Sequence, residues 1–328
     1  MDTVDFLLLR HAIIATLVYH DLLEMPLTAT EVWRYLFRPR EGELKVPSFS
    51  EIEQFLNDMV KEGTLIFSLG YYALPSREKL VIQRIRSHAV AQIKWRRLRH
   101  IAWFLQAIPF LEMVAASGSL ARELVKEDSD LDVLLVTRSG RIWTVRFIVT
   151  IVLDALGLRR RPTGPTKNLV CLNHYLAQDA LKLPYQSMYT ALEYARIVPL
   201  FGEKQCWKFR TENKEWIEKY LVWTLSDSTK HIKTVKQFFV LNVIKRVGEF
   251  VLSGFVGDFV EKWLGNEQKK RITRGIEASE TGGRVIASAM HLEFHPHSKE
   301  APLLKAFNEK MAQMGLTEFG NQKDSGLS

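Results

Sequence analysis

Cysteine is nearly missing from this chain. Cys171 and Cys206 are the two present, and they stand too far apart to read as metal-ligand spacing. That excludes a disulfide framework and a thiolate zinc finger, and it sets the expectation of a reducing, cytoplasmic setting. A clean apolar run is missing too, since a membrane span needs ~20 largely uncharged residues. The two richest stretches are interrupted: "IWTVRFIVTIVLDALGL" carries Arg146 and Asp154, and "FVLNVIKRVGEFVLSGFVGDFVEKWL" carries Lys245, Arg246, Glu249 and Asp258. Both are expected to be buried or interfacial helices, and no transmembrane segment is predicted. The N-terminus is apolar but places Asp2, Asp5, Arg10 and His11 among its first residues, so it lacks the basic start of a signal peptide. No internal repeat is visible.

What is there is the balance of a globular protein. Of 328 residues, 47% are hydrophobic and 25% charged, enough for two or three domains with their own cores. The formal net charge is +8 and the isoelectric point about 9.3, which favours polyanionic partners without choosing among nucleic acid, nucleotides and acidic lipid. The oligomeric state is left open.

Punctuation residues divide the chain. Residues 6–23 have helical periodicity ended by Pro26; "LTATEVWRYLF" follows with Thr28 or Thr30 as N-cap; Ser48 with Glu51 has capping-box spacing before a third helix stopped by Gly63. Two β-like runs flank Gly70. Three helices and a hairpin are the order of a winged helix, so residues 1–76 are expected to form a winged-helix-like module. The helix begun at Ser48 is acidic, which makes a protein contact as fair an expectation as DNA binding. Residues 77–107 read as a long helix bearing Arg84, Arg86, Lys94, Arg96, Arg97, Arg99 and His100, and the stripe from 84 to 100 is the candidate surface for nucleic acid. Strands are expected at "FLEMVAA", "LDVLLVT" and "NLVCLNHYLA", with a helix from about Arg141 to Leu156 and a basic loop, "RRRPTGPTK", between the last two. From Asp179 to residue 318 the pattern is mainly helical apart from "HLEFHP", and 319–328 is expected to be a mobile tail. The expected class is α+β, with a mixed-sheet core over 77–178.

The chemistry concentrates in "AASGSLARELVKEDSDLDVLLVT". Side chains alternate faces along a strand, so Asp130 and Asp132 project together. Two carboxylates so placed repel unless a cation lies between them, and Mg²⁺ is commonly held by one or two carboxylates together with substrate phosphates. Gly118 lets backbone approach a phosphate, the Ser119 hydroxyl can donate to one, and Arg122 can neutralise charge there. The plainer alternative is a polar strand entrance after a turn.

Gly118-Ser119, the spacer 120–129 and Asp130-Leu131-Asp132 with apolar residues on either side resemble the signature of the DNA polymerase β-type nucleotidyltransferases over residues 105–137. The resemblance implies that Asp130 and Asp132 are catalytic metal ligands for Mg²⁺ or Mn²⁺. It also implies that Gly118 and Ser119 cradle the triphosphate of an NTP, whose NMP passes to an acceptor hydroxyl with release of pyrophosphate. The family usually adds a third carboxylate on a later strand. Here "NLVCLNHYLA" offers Asn173 and His174 instead, leaving Asp179 and Glu193 as candidates. Without a third acid, the alternative is a degenerate nucleotide- or nucleic-acid-binding regulator; an antibiotic-adenylylating type of transferase is a further one. His291, His295 and His297 are expected at the surface, with a metal as the alternative. Trp207, Trp216, Trp223, Trp263, Tyr189 and Tyr194 are expected to pack in the core.

Overall fold

The computed structural model describes residues 3–39, 44–222, 233–277, 284–295 and 298–323. The calls on Trp223, on His297 and on the end of the tail, 324–328, lie outside them. The chain is a mixed α/β structure organised around one six-stranded mixed sheet.

Three helices open it: α1 (Thr3–Leu22), α2 (Ala29–Arg34) and α3 (Phe49–Lys61). Both short helices start on a reciprocal capping box, Thr28 with Glu31 and Ser48 with Glu51, each satisfying two otherwise orphaned N–H groups. A hairpin follows, β1 (Ile66–Ser68) and β2 (Tyr71–Ala73), and Leu27 bridges to Tyr72 as a further antiparallel partner. Next comes α4 (Glu78–Leu105), a 28-residue helix.

The sheet contains β3 (Leu111–Ala116), β4 (Leu131–Thr137), β5 (Val170–Ala177), β6 (Val198–Phe201), β7 (Arg284–Ala287) and β8 (His291–His295), in spatial order β6-β3-β4-β5-β8-β7. Only β4 and β5 are parallel, and α6 (Ile142–Ala155) supplies the crossover such a pair requires. The remaining helices are α5 (Gly118–Ala121), α7 (Met188–Ala195), α8 (Glu203–Ile217), α9 (Phe239–Val251), α10 (Gly254–Glu277) and α11 (Glu300–Gln313).

Val133, Leu134, Leu135 and Val136 are all fully buried because the sheet is covered on both faces. Leu134 and Val136 join Met113 and Ala115 in a core completed by the N-terminal helices, α7, α8 and α11. Val133 and Leu135 join a second core with α4, α6 and Leu264 of α10. Each such side chain is worth about 1.5–3 kcal/mol of burial, which fixes β4 firmly and with it the acids at its entrance.

Four expectations need correcting. Residues 179–318 do not stand apart as a helical domain: β6 extends one edge of the central sheet and β8 and β7 the other, so 178 is no break in the sheet. The N-terminal helices likewise share one core with the sheet. In the expected tail, Phe319 is buried and Asn308 bonds both the N–H and the carbonyl of Gln322, which docks 319–323 onto α11. The cationic stripe on α4 is also divided. Arg84 turns inward to Glu31 at 2.8 Å and to the Arg122 carbonyl at 2.7 Å, and Lys94 donates to the Glu127 and Ser129 carbonyls and to Asn168 Oδ1. Arg86, Arg96, Arg97, Arg99 and His100 remain exposed.

Candidate active site

Strand β3 ends at Ala116, and Ser117 starts the single turn of α5. The Ser117 N–H donates to the Asp132 carbonyl at 3.1 Å, tying this turn to the entrance of β4. Gly118 then takes φ = +61°, a left-handed conformation that glycine tolerates and other residues resist. A methyl group there would lie 2.5 Å from Asp132 Oδ2. Backbone and carboxylate therefore approach each other in the space a side chain would fill, which gives the glycine of the motif a steric reason.

Asp130 and Asp132 flank the first residue of β4, on one face as expected. Cys171, the direct partner of Asp132 on β5, completes a group whose possible ligand atoms all lie within 4.8 Å of one another. Between Asp132 and Leu134 the register slips, Leu134 pairing with His174. The extra residue on β5 brings Asn173 to the site as well as Cys171, a common use of a β-bulge beside a functional group. Asn173 Nδ2 donates to Asp132 Oδ1 at 3.0 Å, while its own Oδ1 is buried without a hydrogen-bond partner. Arg160, from the basic loop, reaches Asp130 Oδ2 at 2.6 Å and Cys171 Sγ at 3.4 Å.

Burial pushes Asp132 up to about 7, reinforced by the Asp130 and Glu193 charges and opposed by Arg122 and Arg160. Burial likewise pushes the Cys171 thiol up to about 12, aided by Asp132 and Asp130, so it stays protonated and is a poor ligand for a hard cation. A Mg²⁺ or Mn²⁺ ion suits what remains. Two carboxylates lie together at one strand entrance, one of them raised toward neutrality chiefly by burial, and Asn173 Oδ1 is an orphaned oxygen beside them.

The third-carboxylate candidates separate clearly. Asp179 follows the far end of β5, where Gln178 bonds Thr137, so it sits at the opposite end of the strand from Asp130 and Asp132. Glu193, on α7, is near enough to raise Asp132, but Arg122 Nη1 faces it at 3.6 Å. Arg122 is thus drawn toward Glu193, Tyr189 and Tyr19; burial works against its charge, and these groups with Asp132 outweigh that and raise it. Gly118, Ser119, Arg122, Asp130 and Asp132 lie together around the β3–β4 entrance. Sequence reasoning named Asn173 only as what the later strand offers in place of a third acid, and it did not single out Arg160 or Cys171 for the site. Alternation on a strand parallel to β4 pointed to Cys171; nothing local signalled the bulge that delivers Asn173.

A second group of metal-ligand types is His174, His291 and Glu293, all buried. His174 and His291 face one another Nε2 to Nε2 at 2.8 Å with rings 17° apart, and Tyr194 Oη meets His174 Nδ1 at 2.8 Å. Arg284 occupies Glu293 Oε1 at 2.6 Å. Burial holds His174 well below the usual imidazole range. The near-coplanar, head-on rings and the committed carboxylate make this a hydrogen-bonded relay joining β5, β8 and α7. It also corrects the expectation that His291 is a surface residue.

Compared with known proteins, the chain matches no family model, no curated protein and no solved structure.

Proposed function

We propose that the chain is a Mg²⁺- or Mn²⁺-dependent nucleotidyltransferase that moves an NMP from an NTP to an acceptor hydroxyl, releasing pyrophosphate. The observation that carries the reading is the close approach of the Gly118 backbone to Asp132, which joins the Gly-Ser turn to a pair of carboxylates at one strand entrance. Asp130 and Asp132 would hold the divalent cation, with Asn173 Oδ1 as a neighbouring oxygen; the cation supplies charge neutralisation at the α-phosphate and activation of the hydroxyl. Gly118 and Ser119 receive the triphosphate oxygens. Asn173 orients Asp132 through its Nδ2–H. Arg160, partly exposed, pairs with Asp130 at 2.6 Å and offers further N–H groups to phosphate. Arg122 holds Glu193 in place rather than reaching the triphosphate directly.

The three N-terminal helices and hairpin are read as a winged-helix-like module. Its third helix bears Glu51, Glu53 and Asp58, which favours a protein contact over a DNA groove. The exposed arginines of α4 remain a surface for a polyanionic acceptor.

One observation favours a second reading. Arg160 neutralises Asp130, and Asn173 stands beside Asp132 where an acid would complete the site, as a metal-free nucleotide-binding regulator would have it. The two readings separate on incubating purified protein with labelled NTPs, Mn²⁺ or Mg²⁺ and candidate acceptors. Pyrophosphate release abolished by Asp130→Ala and by Asp132→Ala supports the enzyme; activity unchanged by both substitutions refutes it, and nucleotide binding without release supports the regulator.

A further inference from the structure

The helix α9 is packed inside out. Its inner side is attached by polar and small groups. Lys245 donates to the Leu111 carbonyl at 2.7 Å, Glu249 accepts from the Phe110 N–H at 3.0 Å and pairs with Arg138 at 3.1 Å, and Gly248 lies against Pro109. Its outer side carries Phe239, Val240, Val243, Ile244, Val247 and Phe250, all exposed, with Phe239 80% and Phe250 83% open. That spacing is one continuous helical face. A face of this size is far beyond the scattered apolar residues of an ordinary surface.

The first turns of α10, next in the chain, carry an exposed apolar face of their own. Glu261 caps the start of α6 through the Trp143 and Thr144 N–H groups, Gly265 packs on Trp143, and Gln268 bonds the Trp143 carbonyl. Opposite these, Phe255 (85% open), Phe259 and Trp263 recur every four residues, and the same face then passes to Lys270 and Arg274. Along one helix the order is phenylalanine, then tryptophan, then cations. Trp263, expected in the core, is exposed because the core-facing stripe of α10 is Glu261, Leu264, Gly265 and Gln268.

Charge decides what covers this face. Over residues 233–274 there are nine Lys and Arg against four Asp and Glu. Three of the acids are turned inward or paired to the body of the protein: Glu249 to Arg138, Asp258 to Arg141 at 2.7 Å, and Glu261 to α6. Lys262, Lys269, Arg271 and Arg274 are exposed, Lys269 lying over the Trp143 ring, and the fourth acid, Glu267, pairs with Lys270 at 3.0 Å. A second copy of the chain would bring like charges together across this face, whereas an anionic surface complements it.

We propose that α9 and the first half of α10 dock on an anionic lipid bilayer, their apolar face lying in the headgroup region and the cations of α10 meeting acidic headgroups. No helix among the described residues is long and apolar enough to cross a membrane, so the contact is one of lying on the bilayer. The proposal is independent of the chemistry at Asp130 and Asp132.

The test uses the full chain and sedimentable vesicles, either phosphatidylcholine alone or phosphatidylcholine carrying about one-third phosphatidylserine. Binding is expected on the acidic vesicles and to fall as salt rises. Phe250→Ser and Phe255→Ser are each expected to weaken it about tenfold. Their exposed positions leave the unfolding midpoint unchanged. Lys269→Gln with Arg274→Gln should reduce the preference for acidic vesicles. No binding to either vesicle overturns the proposal, as does equal binding to both. A lipid-free dimer in sedimentation velocity that Phe250→Ser dissolves would assign the face to a second copy instead and overturn it as well.

Discussion

Gly118→Ala tests the geometry of the candidate active site most directly. The substitution adds one methyl group at φ = +61°. The left-handed backbone alone costs an alanine about 1–2 kcal/mol. The methyl would meet Asp132 Oδ2 at 2.5 Å, Cγ at 3.1 Å and Cβ at 3.2 Å. Asp132 cannot simply swing away, because Asn173 holds Oδ1 and β4 is paired on both sides. Such overpacking adds about 1–3 kcal/mol, so a loss of about 3 kcal/mol in stability is expected. Urea denaturation of Gly118→Ala, Asp132→Ala and the double variant separates the two contributions. Asp132→Ala removes Oδ2 and Cγ, leaving the backbone penalty, so the cycle should show about 1–2 kcal/mol of coupling. Mn²⁺ affinity of Gly118→Ala should drop with the displaced carboxylate. A Gly118→Ala protein within about 0.5 kcal/mol of wild type, or penalties that add without coupling, would refute the close approach.

Asp132 gives a pH signature. Its folded value of about 7 lies above the unfolded aspartate value of about 3.9, so between those limits the native state binds the extra proton and stability falls as pH rises. In chelator, Asp132→Asn should therefore match wild type near pH 4 and exceed it by about 2–4 kcal/mol at pH 8. A difference independent of pH in urea titrations would falsify this account. Lys94→Met should cost about 1–3 kcal/mol in the same assay because it strands three partly buried acceptors, whereas Arg96→Ala on the exposed side should change stability by less than about 0.5 kcal/mol. Glu261→Ala removes the carboxylate that caps α6 and should cost about 1–2 kcal/mol; thermal unfolding unchanged by it would mean that α10 does not anchor α6.

What could be read in the sequence was local. The capping box at Ser48 and Glu51, the hairpin at Gly70, and the shared face of Asp130 and Asp132 each depend on residues a few positions apart. The strands β6, β7 and β8 are four or five residues long; β6 and β8 owe their place to partners more than 80 residues away in the chain, which periodicity does not encode, and β7 follows by pairing with β8. The inward turn of Arg84 and Lys94 was within reach. Val81, Arg84, Ser87, Ala91, Lys94, Leu98 and Ile101 form a single buried stripe at helical spacing, so position predicted burial where residue type suggested exposure. Asn173 was out of reach, because a bulge changes which residues of β5 face β4.

Charge balance ties the motif to its surroundings. Among the described residues Asp130, Asp132 and Glu193 face Arg160 and Arg122, one acid more than the bases, and this adds to the burial that raises Asp132. A site built only to close a strand would have no reason to keep that deficit: replacing Asp132 with asparagine would retain a polar partner for Asn173 and remove the repulsion. Retaining a second carboxylate beside the first costs stability at neutral pH, a cost that a bound cation would offset. Arg160 is the counter-ion of Asp130, and its backbone is tied to β5 through its N–H to the Val170 carbonyl at 2.9 Å. Asn173, in β5 itself, fixes Asp132 from the other side through its Nδ2–H.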